Sequence, residues 1–447
     1  MLNKFKNHIN HEKVLRDQIL NLTAEYVKKY GLNNYQDESV INVSGKVINH
    51  EEVCNIVESG LDMWFTAGRF NTKFEKKLKQ FIDIKYLLTC NSGSSANLIA
   101  LSSLCNKYIM GNEYIAQGAE VITCAVGFPT TINPIIANNL TPVFIDAELN
   151  TFNINTDKIE KAITEKTKAV MIAHTLGNPF QLEKIRNLCD KYKLYLIEDC
   201  CDALGSKYDG VHVGKFGDIG TLSFYPAHHI TMGEGGAVFT NSSRIKKSME
   251  SIRDWGRDCW CKTGCDNTCK KRFNWNFKDL PFGYDHKYVY SALGYNLKIT
   301  DMQAALGLAQ LNKLETFIKM RKSNFFYLHN LLKDLQDYFI LPKAQKKSDP
   351  SWFGFPLLIK DKRISRNALI NYLEDNLIKT RLIFAGNITK QPYMKYQKYR
   401  EVETLKNSDL IMKNGFWLGI YPGLSKKSLN KISHHLHKFL EISNITF

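Results

Sequence analysis

KAVMIAHTLGNPFQLEKIRNLCDKYKLYLIEDCCDA, residues 168–203, decides the fold. Its first nine residues are a nearly continuous apolar run of strand length. Residues 181–193 then place Leu182, Ile185, Leu188 and Cys189 on one helical face. A second apolar run, 194–201, ends in Glu198 and Asp199. Strand, helix and strand in this order, with strands apolar on both sides, predict a parallel pair covered on both faces. Working outward, strand-length runs recur at 86–90, 120–126, 141–147, 220–226 and 235–241. The last two lie too close for a crossover helix, so an antiparallel pair is expected there. The fold class is therefore α/β, a mostly parallel sheet in a large domain with a smaller C-terminal α+β domain. Residues 1–60 read as a mostly helical extension and 61–312 as the large domain, with a Cys-rich insertion at about 257–292. Residues 313–447 form the small domain. A long helix over 300–338 leads into that part, followed by strand 352–360, helix 365–376, strand 378–384 and helix 426–442.

Composition bounds the function. With 44% hydrophobic and 23% charged residues, the chain is an ordinary globular protein, which excludes disorder, collagen and coiled coil. The first twenty residues are polar and charged with no apolar core, so a cytoplasmic protein without a secretory signal is expected. The uncharged stretch 121–145 is long enough for a bilayer, but Pro129, Pro134 and Pro142 interrupt it and no membrane span is expected. Sixty basic and 44 acidic residues leave a net charge of +16. That balance suits a phosphorylated or nucleotide-linked substrate, or simply solvated lysines. Eleven cysteines without an export signal argue against a disulfide framework. Four of them, Cys259, Cys261, Cys265 and Cys269, fall within eleven residues, and that clustering needs a reason.

Three constellations carry chemistry. Asn91-Ser92-Gly93-Ser94-Ser95-Ala96-Asn97 follows a strand and opens a helix, where backbone N–H groups can hold a phosphate. Glu198-Asp199-Cys200-Cys201-Asp202 ends a buried strand, the end that faces the ligand crevice in an open α/β sheet. A carboxylate there calls for a cation or polar partner, which a pyridinium nitrogen supplies; a helix-capping Asp is the plain alternative. The third is Ser223-Phe224-Tyr225-Pro226-Ala227-His228-His229-Ile230-Thr231, followed by Gly233-Glu234-Gly235-Gly236.

Taken in order with residues 294–307 (GYNLKITDMQAALG), these segments resemble the nucleotide-sugar aminotransferases and dehydrases of pyridoxal-phosphate fold type I, over residues 60–390. Aminotransferases of that family carry the Schiff-base lysine five residues after the serine of Ser223-Phe224; here the position is His228. Imidazole has no primary amine, so the cofactor would be held noncovalently as pyridoxamine phosphate. With an ordinary pKa of about 6.5, histidine is suited to moving a proton at neutral pH. The resemblance thus implies a sugar 3-dehydrase, with His228 as base toward the cofactor's C4′ and expulsion of the C3 hydroxyl. Carried over by position, Ser94 and Ser95 would bind phosphate through their amides and Ser223 through its hydroxyl. Asp199 would pair with the ring nitrogen, Phe128 would stack on the ring, and Asn296 would reach the phosphate of a neighbouring subunit, implying a homodimer. Asp202 stands where many relatives have glutamine near the phenolic oxygen.

Cysteine spacing separates two dehydrase types. Cys201, 57 residues, Cys259, one, Cys261, seven, Cys269 matches the [2Fe–2S] ligand pattern of enzymes resembling CDP-4-keto-6-deoxyglucose 3-dehydrase. Cys265 could replace any of the four, and a zinc site on the local quartet is the competing reading. Such a cluster would pass electrons from a partner reductase to the dehydrated sugar. Lys262, Lys270, Lys271 and Arg272 flank the cysteines and would offset its charge or meet an acidic partner. The expectation is a cytoplasmic, homodimeric dehydrase that depends on pyridoxamine phosphate and [2Fe–2S], acts on a nucleotide-linked 4-keto-6-deoxyhexose and binds no nucleic acid. Its rivals are an ammonia-releasing GDP-4-keto-6-deoxymannose-type enzyme without iron and a zinc-bearing nucleic-acid binder on a vestigial scaffold.

Overall fold

A computed structural model describes residues 2–31, 39–261, 264–277 and 279–443, with side chains from residue 11 onward; Lys262 lies outside the described residues. The central sheet uses β1 (Tyr86–Cys90), β2 (Glu120–Cys124), β3 (Thr141–Ile145), β4 (Thr167–Ala173), β5 (Tyr195–Asp199), β6 (Ile219–Ser223), β7 (Gly236–Thr240) and β8 (Arg400–Glu401). Their order is β1-β7-β6-β5-β4-β2-β3-β8. Strand β7 runs antiparallel to both neighbours, β1 and β6, and the remaining pairs are parallel. The mostly parallel sheet and its one short-looped antiparallel pair are those expected from the sequence.

Both faces of the sheet are buried, for the reason the apolar strands gave. Ile122, Val143, Val170, Ile172, Leu196 and Leu222 enter one core. Val121, Ala169, Met171, Ile197, Ile219 and Val238 enter another on the opposite face, as period-two alternation requires. The helices that matter below are α1 (Leu2–Tyr30), α2 (His50–Leu61), α3 (Gly93–Leu104), α4 (Pro129–Ala137), α5 (Leu182–Tyr192), α6 (Asp301–Leu311), α7 (Leu314–Leu331) and α8 (Lys426–Ile442). The uncharged stretch 121–145 folds as β2, α4 and β3. Among the described residues, no helix is long and apolar enough to cross a membrane.

Two expectations are corrected. The long helix over 300–338 is two helices, α6 and α7, broken at Asn312-Lys313. The break turns Gln310 and Lys313 together onto the buried Glu52 carboxylate, at 2.7 and 2.6 Å. A buried charge needs that pairing more than the chain needs one further helical turn. The strand over 378–384 shrinks to two isolated bridges, Ile41↔Ile378 and Arg381↔Trp417. Leu377 and Phe384, both at positive φ, bound that segment and bend it away from a ladder. The C-terminal sheet consists instead of Phe339–Ile340, Phe355–Ile359 and Gly415–Leu418. A core of Phe325, Leu328, Phe355, Leu357, Leu369, Phe416, Leu418 and Leu436 surrounds it, and Ile41 from the N-terminal segment joins this core.

Candidate active site

The C-terminal ends of β4, β5 and β6 open into a cavity of about 770 Å³. Three observations define what it can hold. The first is Asp199, the last residue of β5, buried at 5% exposure. Its Oδ2 accepts hydrogen bonds from Asn97 Nδ2 at 2.8 Å and Thr131 Oγ1 at 2.7 Å, and its Oδ1 accepts the Cys201 N–H at 3.1 Å. Those donors are neutral, and among the described residues no cation forms an ion pair with this carboxylate, which lines the cavity. A protonated ring nitrogen is the partner such a group lacks.

The second is the start of α3. Ser92 is its N-cap, with the Ser95 N–H donating to Ser92 Oγ at 3.0 Å, a cap contributing about 1 kcal/mol. Ser92, Gly93 and Ser94 line the cavity, and Ser223 from β6 faces them. A Cβ at Gly93 would sit 2.4 Å from Ser223 Cβ and 3.0 Å from Cys201 Sγ. Only glycine lets the helix start come this close to β6, which forms an anion cradle of hydroxyls and a helix N-terminus. Gly93→Ala is expected to cost about 1–3 kcal/mol through overpacking and to release pyridoxal phosphate on dialysis, read as loss of its absorption band.

The third is His228. Its Nδ1 lies 3.3 Å from Asp202 Oδ1, at an angle outside hydrogen-bond range. Its ring tilts against Phe353 with centroids 5.1 Å apart. Burial pushes the Asp202 carboxyl up; the neighbouring His228 and Arg321 pull it partly back. The next residue, His229, is a different case. Its Nε2 meets the Ser351 carbonyl at 2.7 Å, and burial pushes its pKa far down, so it stays neutral. Among the described residues lining this cavity there is no lysine.

Phe128 stands at the mouth, half-exposed, with its ring edge-on to Phe384 at 6.4 Å. Asn296 lies elsewhere, exposed and bridged through its backbone to Asp254. The structure therefore brings Ser94, Phe128, Asp199, Asp202, Ser223 and His228 into one cavity. It commits the Ser95 amide to Ser92, and leaves Asn296 outside.

The cysteines divide. Cys201 lines the same cavity as Asp199 and His228. Cys259, Cys261 and Cys269 line a separate small one with Arg272 and His286, and the Cys261 N–H points at Cys259 Sγ, 3.5 Å away. Cys265 is exposed. Burial alone would raise the Cys261 thiol, but hydrogen bonds from Thr268, the Cys269 backbone and Cys259 bring it down to about 7. Iodoacetamide is therefore expected to alkylate Cys261 ahead of the other thiols in metal-free protein, with half-maximal rate near pH 7. Mass mapping checks it. Among the described residues the cysteines do not bring three ligand atoms within 4.8 Å of one another, and the one set of ligand-type side chains that does is His174, Glu198 and Cys200. It needs no metal: Glu198 already accepts the Gly214 and Gly217 N–H groups and meets His174 Nε2 at 3.0 Å.

Sequence reading assigned no role to several residues that build the site. Asn97 and Thr131 anchor Asp199. Asn97 stands one turn into α3, within the quoted Asn91–Asn97 motif, and Thr131 lies in the first turn of α4, three residues after Phe128. Arg321 on α7 is fully buried and donates to the carbonyls of Trp352, Phe353 and His228 at 3.3, 3.0 and 3.3 Å. It ties the His228 loop to the small domain, and no local pattern marks it. Arg321→Ala is expected to lower stability by roughly 3–5 kcal/mol, because it strands three carbonyl acceptors; urea midpoints measure this.

A large mostly parallel sheet with one antiparallel strand, a smaller C-terminal domain and a carboxylate at the end of β5 define the class: pyridoxal-phosphate enzymes of fold type I. The chain belongs to the DegT/DnrJ/EryC1/StrS aminotransferase family, whose model matches residues 46–437. It is 55% identical to lipopolysaccharide biosynthesis protein RfbH of Salmonella typhimurium over 436 residues, 97% of this chain and 99% of that protein. It is 46% identical to dTDP-4-dehydro-2,6-dideoxy-D-glucose 3-dehydratase of Saccharopolyspora spinosa, covering 96% of this chain and 93% of that one. Among solved structures, Escherichia coli GDP-4-keto-6-deoxy-D-mannose-3-dehydratase with bound hydrated PLP superposes with a TM-score of 0.80 at 28% identity, over 89% of this chain and all of that one.

Proposed function

We propose that this chain is a cytoplasmic, pyridoxamine-phosphate-dependent 3-dehydrase of a nucleotide-linked 4-keto-6-deoxyhexose. CDP-4-keto-6-deoxyglucose is the expected substrate, in 3,6-dideoxysugar synthesis for a surface polysaccharide. The observation that carries the reading is the cavity's base: His228 occupies the position of the family's Schiff-base lysine, and no described residue of the cavity replaces that amine. The names of the 55% and 46% identical relatives, one in lipopolysaccharide biosynthesis and one a 3-dehydratase, support it.

When bound, the cofactor supplies an amine for the C4 ketone and a ring that withdraws electrons. The chain's residues do the rest. Asp199 would hold the ring nitrogen's proton, and Asn97 and Thr131 fix its carboxylate in place. Ser94 and Ser223, which line the cavity, would hold the phosphate, and Phe128 at its mouth would stack on the ring. Asp202, 3.3 Å from His228 Nδ1, would favour the tautomer with the proton there once the pair turns into hydrogen-bond geometry. Nε2 would then be the nitrogen that holds or moves a proton at the cofactor's C4′ and toward the sugar's C3 hydroxyl. Phe353 and the Arg321 bond to the His228 carbonyl hold the imidazole in place. Asn296, exposed on this chain, suits a homodimer in which it completes the partner's phosphate site.

The finer reading adds a [2Fe–2S] cluster and an electron-donating reductase. Its support is the Cys201, Cys259, Cys261, Cys269 spacing and the three thiols around one small cavity. Cys201 stands apart from those three here, so no step is derived through the cluster. Cys261→Ser and Cys269→Ser are expected to lose iron and sulfide and make no deoxysugar, yet still exchange solvent deuterium into substrate. Iron retained in both but lost in Cys265→Ser would reassign the ligands.

An absorption spectrum of anaerobically purified protein tests the whole. Cofactor and iron–sulfur bands together support the full reading. Cofactor alone favours the GDP-type dehydratase, and neither band leaves the nucleic-acid binder.

A further inference from the structure

The irregular segment 378–384 forms one wall of the active-site cavity. Arg381, Leu382 and Phe384 all line it, beside Trp417. A regular strand would point the neighbours Arg381 and Leu382 to opposite faces. Leu377 and Phe384, at φ of 63° and 46°, bend the chain on either side instead. Two backbone hydrogen bonds pin the bent stretch: the Trp417 N–H donates to the Arg381 carbonyl at 2.7 Å, and the Arg381 N–H to the Trp417 carbonyl at 3.2 Å. Arg381 is the only arginine or lysine among the described residues that line this cavity. Its side chain is exposed, and its guanidinium donates to the Thr380 carbonyl at 2.8 Å. The cavity's carboxylates are Asp199, Asp202 and Glu234. Asp199 is taken up by Asn97 and Thr131, and Asp202 stands beside His228. Among the described residues no carboxylate forms an ion pair with Arg381, so a cation held at the cavity lacks its counter-charge.

We infer that Arg381 receives the diphosphate of the nucleotide-linked sugar; the inference rests on the nucleotide-sugar reading given above. The start of α3 and Ser223 already supply one anion site on the large domain. Arg381 comes from the small domain, on the wall where Phe384 meets Phe128 edge-on at 6.4 Å. A second anion site on a second wall suits a substrate that brings phosphates of its own. A guanidinium offers paired N–H groups in one plane, which match two phosphate oxygens. Beside the apolar side chains of Leu382, Phe384 and Trp417 that contact is screened less than on open surface. It grips phosphate and not the base, so it fixes where the sugar sits and carries no preference among nucleotides.

Calorimetric titration of the holoprotein with CDP, dTDP, GDP and UDP tests this. Arg381→Gln is expected to weaken every nucleoside diphosphate that binds by about 10–100-fold, the worth of a hydrogen-bonded charge contact. The cofactor band is expected to stay. Affinity should also depend less steeply on sodium chloride in this variant, a change that a merely structural role would not produce. Arg381→Lys keeps the charge without the planar fork and should fall between the two. Equal affinities in Arg381→Gln and the unmodified protein overturn the inference, as does an unchanged salt dependence. Loss of the cofactor band in Arg381→Gln also overturns it, because Arg381 would then serve the cofactor's own phosphate. If Arg381→Gln does not fold, Arg381→Lys decides: weaker diphosphate binding supports the inference and unchanged binding overturns it. Unmodified holoprotein that binds none of the four would strike the nucleotide-sugar reading itself, and this inference with it.

Discussion

Replacing His228 with lysine is expected to yield a protein that borohydride joins covalently to its cofactor, where the unmodified protein gives no adduct. The amine would reach the same cavity, since His228 already projects between Asp202 and Phe353. Dehydration should fall by about 10²–10⁴-fold, the usual worth of a positioned general acid–base. Mass spectrometry after reduction measures the first effect and solvent-deuterium exchange into substrate the second. An unmodified mass after reduction would show that His228 does not face the cofactor's reactive carbon. His229 offers no substitute base, because its Nε2 is held on Ser351 and burial keeps it neutral.

The Asp199→Asn protein should retain the fold and some cofactor, yet remove the C4′ proton about 10²–10³-fold more slowly, the range for losing one preorganised electrostatic partner. Asparagine can still accept from Asn97 or Thr131 but cannot hold a proton on the ring nitrogen. Asp199→Ala is the harsher case. Asn97 and Thr131 would both lose their acceptor in a buried site, at about 1–3 kcal/mol each. Single-turnover kinetics with stopped-flow absorbance separates the two, and full turnover by Asp199→Asn would mean that another group serves the ring.

The sheet was legible because its strands are apolar on both faces, and such runs admit few readings beside helices of period 3.6. The cavity was legible in part for a related reason: Asp199 and Ser223 end strands, and Ser94 and His228 follow a strand end within five residues, where an open sheet collects its ligands. What sequence hides are partners brought from afar. Arg321 comes from α7, over ninety residues beyond His228, and a lone arginine among apolar helix residues looks like any solvated cation. The break between α6 and α7 escaped notice for the same reason, since Glu52, which draws Gln310 and Lys313 inward, lies some 260 positions earlier. Cysteine spacing gave the set Cys201, Cys259, Cys261 and Cys269, but spacing along a chain is blind to which cavity each thiol faces.

Strand β5 carries two adjacent carboxylates with separate tasks. Asp199 serves the cavity, while Glu198 turns to the other side and clamps the Gly214–Gly217 turn and His174. Side chains alternate along a strand, so one residue inserted or deleted within 195–199 would exchange their faces. The longer glutamate would then enter the cavity, and the turn that carries the chain into β6 would lose its clamp. In evolutionary terms this strand can vary in its letters but not in its length: insertions that its flanking loops can absorb would here disable the site and loosen the scaffold in a single event.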